Sequence, residues 1–300
     1  MIPRIPRCNG LLAACCLFAS LPAQAACALA DEPRSSLADW KASGFAVAEP
    51  GARRERALAL VECLGAPDPF LRDGIAFEAL STWMRGKQLE ADALRVLQRR
   101  LQSQLDDADP DGLRKPFAAL ALSEVARTDR VQAWMRPEER SRMAAAAAAY
   151  LSAVRDYRGY VDGEGWRHGV AHGADWALQL LINKALGASQ AWQLLNALAV
   201  QVAPVEGHAY AFGEPARLAR PVAYAVARGD LEQPAVDAWL AGLGASLGPR
   251  PDADPQATWW TRRSNLENFL HALASLAEGD QSPALTALAA SVRRTLQELP

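Results

Sequence analysis

Two of the four histidines in this 300-residue chain fall in one short stretch: Asp156-Tyr157-Arg158-Gly159-Tyr160-Val161-Asp162-Gly163-Glu164-Gly165-Trp166-Arg167-His168-Gly169-Val170-Ala171-His172-Gly173-Ala174-Asp175-Trp176. Read as helix, His168, His172 and Asp175 stand at i, i+4 and i+7, on one face. Imidazoles one turn apart can grip a divalent metal ion, and a carboxylate one turn on can be a third ligand. The order is not H-E-x-x-H, so the general base of a zinc protease is missing. A hydrolase-type enzyme, metal-dependent or not, would use these three residues with the Asp162/Glu164 loop. Gly165, Gly169 and Gly173 recur at four-residue spacing, which a helix tolerates where close packing or a ligand compensates. The plainer alternative is a structural hydrogen-bond cluster, satisfied by the tyrosines, arginines and Glu164 just ahead of it.

Two further segments hold polar residues that a helical core does not need. Gly207-His208-Ala209-Tyr210-Ala211-Phe212-Gly213-Glu214 precedes Arg217, and Trp259-Trp260-Thr261-Arg262-Arg263 leads to His271. Loops of stacked helices gather on one edge and can rim a cleft. The candidate ligand cluster is therefore Tyr157, Arg158, Glu164, Trp166, His168, His172, Asp175, His208, Arg262 and His271. Adjacent tryptophans can stack on sugars or cations; the alternative is a helix–helix anchor. The histidines discriminate between functions. Convergence of His208 or His271 on His168 and His172 in an open cleft favours an enzyme, and burial of the pair favours structure. Gly244-Ala245-Ser246-Leu247-Gly248 fits G-x-S-x-G, with Asp252, Asp254 and His271 following in hydrolase order. A nucleophile elbow needs a strand before the serine, whereas here a helix precedes it. There is no P-loop and no G-x-G-x-x-G, so nucleotide binding has no support.

Helices must position these residues. After about Ala48, apolar residues recur at three- and four-residue spacing, and strand-like alternation is nearly absent. The stops predict helices over about 53–64, 68–86, 90–105, 111–127, 137 onward, 166–186, 190–202, 214–227, 234–247, 258–277 and 282–299. Asp68-Pro69 opens one helix and Asp111 caps another. Short connections favour an all-α fold of stacked antiparallel helical hairpins, a degenerate HEAT-like α/α solenoid or array. The 166–186 helix should be central, between the alanine-rich helix and the 190–202 helix.

Composition narrows the setting. Half of the residues are hydrophobic, so a substantial core can form. The net charge of −2, without a long basic stripe, argues against nucleic acid as a partner. Arg4 and Arg7, the apolar run Leu11–Leu21 and Ala23-Gln24-Ala25 read as a signal peptide, with Ala28-Leu29-Ala30 a second cleavage candidate. The apolar run is too short to span a bilayer, so no membrane span is expected and the protein should be periplasmic or secreted. Leu12-Ala13-Ala14-Cys15 fits a lipobox, which makes a lipoprotein the alternative. The expected division is signal peptide 1–25, lead-in 26–50 and one helical domain over 51–300. Cys63 lies in an apolar run and is expected to be a buried thiol, although a disulfide with Cys27 is open to it.

The central stretch, with Asp68-Pro69-Phe70-Leu71-Arg72-Asp73, Ala76-Phe77 and Phe117-Ala118-Ala119-Leu120, resembles the bacterial family called domain of unknown function 2785. The resemblance spans roughly residues 60 to 280 and implies an all-α fold. It supplies no activity. The functional expectation is an exported helical protein that binds a ligand or partner through its polar edge, with the hydrolase as the alternative.

Overall fold

The computed structural model describes residues 27–251, 257–279 and 281–300, whose regular structure is almost entirely helical. The helices are α1 (Arg34–Ala42), α2 (Pro50–Cys63), α3 (Glu78–Arg85), α4 (Ala91–Asp106), α5 (Arg114–Val131), α6 (Pro137–Ala153), α7 (Gly169–Leu181), α8 (Ala188–Val202), α9 (Glu214–Ala227), α10 (Gln233–Ala245), α11 (Ala257–Glu278) and α12 (Pro283–Gln297). A π-helical segment, Phe70–Phe77, runs straight into α3. The strands β1 (Tyr160–Val161) and β2 (Gly165–Trp166) form one antiparallel pair. The all-α expectation is met. The leader through Ala25, with Cys15, lies outside the described residues, as do Asp252 and Asp254, whereas the second cleavage candidate, Ala28-Leu29-Ala30, is described.

Helix starts follow local chemistry. Proline stands in the first turn of α2, α6, α9, α10 and α12, where its missing N–H costs no helical bond. The cap of α5 is Asp109, not Asp111: its carboxylate accepts the Leu113, Arg114 and Lys115 N–H groups at 3.1, 3.1 and 2.9 Å. At α6, Glu139 accepts the Arg136 N–H at 2.8 Å, and this bond leads the interactions that hold its carboxyl down to about 2. The lead-in holds α1, which the apolar pattern did not reveal because Leu37 is its buried residue.

Many helices pack on their next-but-one neighbours, while α4 packs on α5 and α11 on α12. α5 packs on α7, α7 on α9 and α9 on α11, while α6 packs on α8 and α10 on α12. The principal neighbours of α7 are thus α5 and α9, and the expected flanks α6 and α8 touch it less. Eleven of its thirteen residues are buried, so it needs neighbours on several sides. Gly173 permits the approach of α6, since a Cβ there would lie 2.7 Å from Leu151 Cδ2. The expected free thiol is corrected: Cys63 pairs with Cys27. Cys63 is fully buried as well, so the apolar run around it could not separate a core thiol from a core disulfide.

Candidate functional site

The glycine-rich stretch folds as a hairpin rather than as the first turn of a helix. Tyr160 pairs with Trp166 and Val161 with Gly165, and the ladder continues through Arg167 N–H to Gly159 O (2.8 Å) and His168 N–H to Arg158 O (3.1 Å). Gly163 and Gly165 take φ of +79° and +81°, values that favour glycine. The hairpin is held from below by the fully buried Arg72. Its guanidinium donates to Glu164 O at 2.7 Å and to Ala66 O at 3.0 Å, pairs with Asp73 at 2.7 Å, and lies over the Phe117 ring. Arg167 donates to Asp111 O at 3.1 Å and pairs with Glu164 at 2.5 Å.

His168 is not on the helix. It caps α7 in the left-handed conformation, φ 55° and ψ 35°, so the i, i+4, i+7 face expected for His168, His172 and Asp175 is broken at its first member. The three face different groups, and His168 Nδ1 makes no hydrogen bond. His172 is buried, with Nδ1 3.1 Å from Pro116 O and its ring edge-on to Phe117. Burial first, then the nearby His168 and Arg217, push its imidazole down to about 3. It is therefore neutral near pH 7, and the carbonyl partner places its proton on Nδ1. His168 has Nδ1 3.6 Å from Glu214 Oε1, and its ring stacks on Trp166 at 4.4 Å and 14°. Glu214 also accepts the Phe212 N–H at 2.9 Å. Burial pushes Glu214 up, but the His168 and backbone interactions outweigh it and hold the carboxyl below its usual range. Asp175 takes a two-pronged contact from Arg217 on α9, one limb at 3.0 Å, and burial keeps its carboxyl above the ordinary range against that pull.

The metal expectation finds no support in this geometry. Among the described residues no three His, Cys, Asp or Glu side chains gather as a metal-holding group. His168 turns to α9 and Trp166, His172 to α5, and Asp175 to α9. The expected partners also differ: they come from Pro116, Glu214 and Arg217, not from the tyrosines and Glu164 just ahead of the motif. Glu214 and Arg217 were visible as polar residues around the 207–217 loop, but nothing in sequence pairs them with residues some forty positions earlier (|i−j| = 42 for Asp175–Arg217).

The other candidates form separate groups. Tyr157 stacks on His208 (5.2 Å, 16°) and donates to Glu206 at 3.0 Å; burial, then Glu206, pushes its phenol up to about 12. Asn265 ties this loop down by donating to His208 O at 2.7 Å. Arg262 donates to Ala203 O and Ser246 O at 3.2 and 2.7 Å, and His271 is exposed on α11. Neither His208 nor His271 joins an open site with His168 and His172. Ser246 follows α10, and its hydroxyl donates to Leu243 O at 2.7 Å.

Two open features adjoin this region. A cleft of about 500 Å³ lies between the ends of α4 and α6, the start of α5 and the 154–158 segment. Ala146, Ala149 and Ala153 line it, with Asp106, Lys115 and Arg158 also on its walls. Arg158 grips Asp156 there and donates to Asp111 O at 3.2 Å. Near the base of the same hairpin, Tyr160, Trp166 and Phe212 are 45 %, 38 % and 44 % exposed and touch edge to face.

A model of the family described as "Protein of unknown function (DUF2785)" matches residues 101–275. The chain belongs to the DUF2785 family. The DUF2785 match takes in the cleft, the hairpin and α5 through α10. It begins after the disulfide and after Asp68–Asp73 and Ala76-Phe77, so those residues lie outside it, although Arg72 holds the DUF2785 hairpin from below. No curated protein and no solved structure matches the chain.

Proposed function

We propose that this DUF2785 protein is an exported, non-enzymatic helical array that binds a small ligand in the cleft beside Asp156 and Arg158. The cleft itself carries the reading. Its volume of about 500 Å³ suits a small molecule, its floor is apolar, and a few charged groups stand at its walls. The residues that would serve a hydrolase, His168, His172 and Asp175, are engaged by Glu214, Pro116 and Arg217, which weighs against the enzyme alternative. The contacts between next-but-one helices support a HEAT-like stack of hairpins over 51–300.

Export is supported by the Cys27–Cys63 disulfide, because such bonds persist in oxidising compartments. The disulfide also favours cleavage after Ala25, since a cut after Ala30 discards Cys27. Among the described residues no helix is long and apolar enough to cross a membrane. N-terminal sequencing of exported protein should begin at Ala26; a lipidated Cys15 would support the lipoprotein instead.

Ala149 is exposed on the cleft wall, so Ala149→Trp should fill the cleft without entering the core. After exposure to a metabolite extract, native mass spectrometry should find a small molecule on the wild type and none on Ala149→Trp, with equal melting temperatures. Equal loading of both proteins, or none on either, refutes the reading.

A further inference from the structure

We propose that the exposed face of α5, α7 and α9 docks an acidic peptide segment that carries an apolar side chain. On that face α7 leaves only Asp175 and Gln179 unburied. An arginine from each neighbouring helix reaches over to them: Arg217 of α9 grips Asp175, and Arg130 of α5 donates to Gln179 Oε1 at 3.0 Å. Arg127 and Arg220 stand one helical turn from these two, on the same helices. Arg220 is close enough to join Arg217 in attracting the Asp175 carboxylate. On the α3 side, Arg85 donates to Glu124 of α5 at 2.9 Å. Five arginines thus meet two carboxylates, which leaves three positive charges over. Among the described residues Arg127, Arg130 and Arg220 make no ion pair.

Charge and length select the occupant. The whole chain carries a net charge of −2, so this local excess is a segregation of charge. No run in the sequence announces it, because its members come from positions as far apart as Arg85 and Arg220. Burial, then the neighbouring Arg127, holds the Arg130 guanidinium below its ordinary range against the pull of Glu124. An incoming anion therefore relieves a repulsion already present. Helix axes pack about 8–10 Å apart, so the arginines from α5 to α9 span about 20 Å, the reach of about six extended residues. A single small anion does not cover that span. At the α3 end, Arg85 and Arg127 also line a cavity of about 370 Å³ with Met84, Leu89 and Leu94, all three buried. This recessed apolar floor suits an anchoring side chain, which nucleic acids and anionic polysaccharides lack. It also lies below the reach of a flat membrane surface. The carboxylates of an acidic peptide match the planar fork of each guanidinium.

Isothermal titration of the exported chain with hexaglutamate, and with hexaglutamate bearing a leucine at one end or the other, tests this. At least one leucine-bearing peptide should bind saturably, more tightly than hexaglutamate alone, and more weakly as salt is raised. Arg127→Gln combined with Arg220→Gln should weaken that binding about tenfold or more, with little change in melting temperature. Arg130→Gln carries the same expectation should the double variant fail to fold. Ala149→Trp, in the separate cleft, should leave peptide binding unchanged. No saturable binding, binding indifferent to the arginine variants, or equal affinity with and without the leucine overturns the proposal. Tighter binding of oligothymidylate or of phosphatidylglycerol vesicles, lost in the same arginine variants, also overturns it, by giving the arginines another partner. Peptide binding lost in Ala149→Trp but kept in the arginine variants would overturn it as well, while upholding the cleft.

Discussion

Residues 168–175 and residues 157–166 adjoin in sequence and have opposite surroundings. The first group holds the side chains that look most like chemistry, and the structure engages them inward: His172 with Pro116, His168 with Glu214, Asp175 with Arg217. The second holds Tyr160 and Trp166, and both face solvent. The difference has a physical cause. A buried polar group needs a partner, so burying the start of α7 ties His172 to Pro116. A two-stranded hairpin on the surface has one face to spare, and its rings stay outside. The polar residues therefore hold the fold here, and the apolar ones are left facing solvent.

The sharpest way to break that contrast is at a buried carboxylate with several partners, Asp129. It accepts Arg140 at 2.8 and 3.2 Å, Asn183 at 2.9 Å, and the Trp134 and Met135 N–H groups at 3.0 and 2.7 Å. Asp129→Ala leaves a buried guanidinium unpaired and should cost about 3–5 kcal/mol in urea denaturation. A loss of less than about 1 kcal/mol would mean that inward pairing carries no more weight than a surface ion pair.

His172 gives the next effect, through pH. Its folded imidazole titrates at about 3, against an ordinary unfolded value near 6.5. Above that ordinary value neither state binds the proton, and stability is full. As pH falls below it, the unfolded chain takes up a proton that the fold refuses. Stability should then drop by about 2 kcal/mol between pH 7 and pH 5. His172→Gln should flatten this slope, as read by denaturation at each pH. An unchanged slope would place the proton uptake elsewhere. Asp175, raised by burial, and Asp129, lowered by its bonds, act with opposite signs in the more acid carboxylate range.

The contrast also separates what could be read in advance. Most helices were legible, because apolar spacing and proline in first turns are local signals; α9 lies at 214–227 as expected. α1 was missed because too few of its residues are buried to mark a face. The hairpin was read as a loop running into a helix from 166, because Gly165, Gly169 and Gly173 look like one stripe on a helix, whereas Gly165 serves a positive φ in the hairpin. The partners of the motif were illegible for another reason: Glu214 and Arg217 meet it through the packing of α9 on α7, which no spacing encodes. Phe212 and Tyr160 lay inside the quoted segments, but exposure is a tertiary property.

Asp175→Ala should have a smaller effect than its place beside His172 suggests. Full burial would make its loss worth about 1–3 kcal/mol. Its partner Arg217 is over a third exposed, so water can take over the freed guanidinium, and a cost of about 1 kcal/mol is expected in urea denaturation. A loss as large as that of Asp129→Ala would move Asp175 fully into the enclosed class.

The smallest expected effect falls on the ring that looks most structural. Trp166 touches Tyr160, Phe212 and His168, and each aromatic contact of this kind is worth about 0.5–1.5 kcal/mol where it excludes water. Here the ring is more than a third exposed, so most of that gain is already forgone. Truncation also removes apolar surface from solvent. The two tendencies nearly cancel, and Trp166→Ala should shift stability by about 0.5 kcal/mol or less, within the range of ordinary surface substitutions. A shift of the urea midpoint comparable to that of Asp129→Ala would show that the hairpin leans on its rings, and the division between inward polar support and outward aromatic surface would fail at the residue meant to define it.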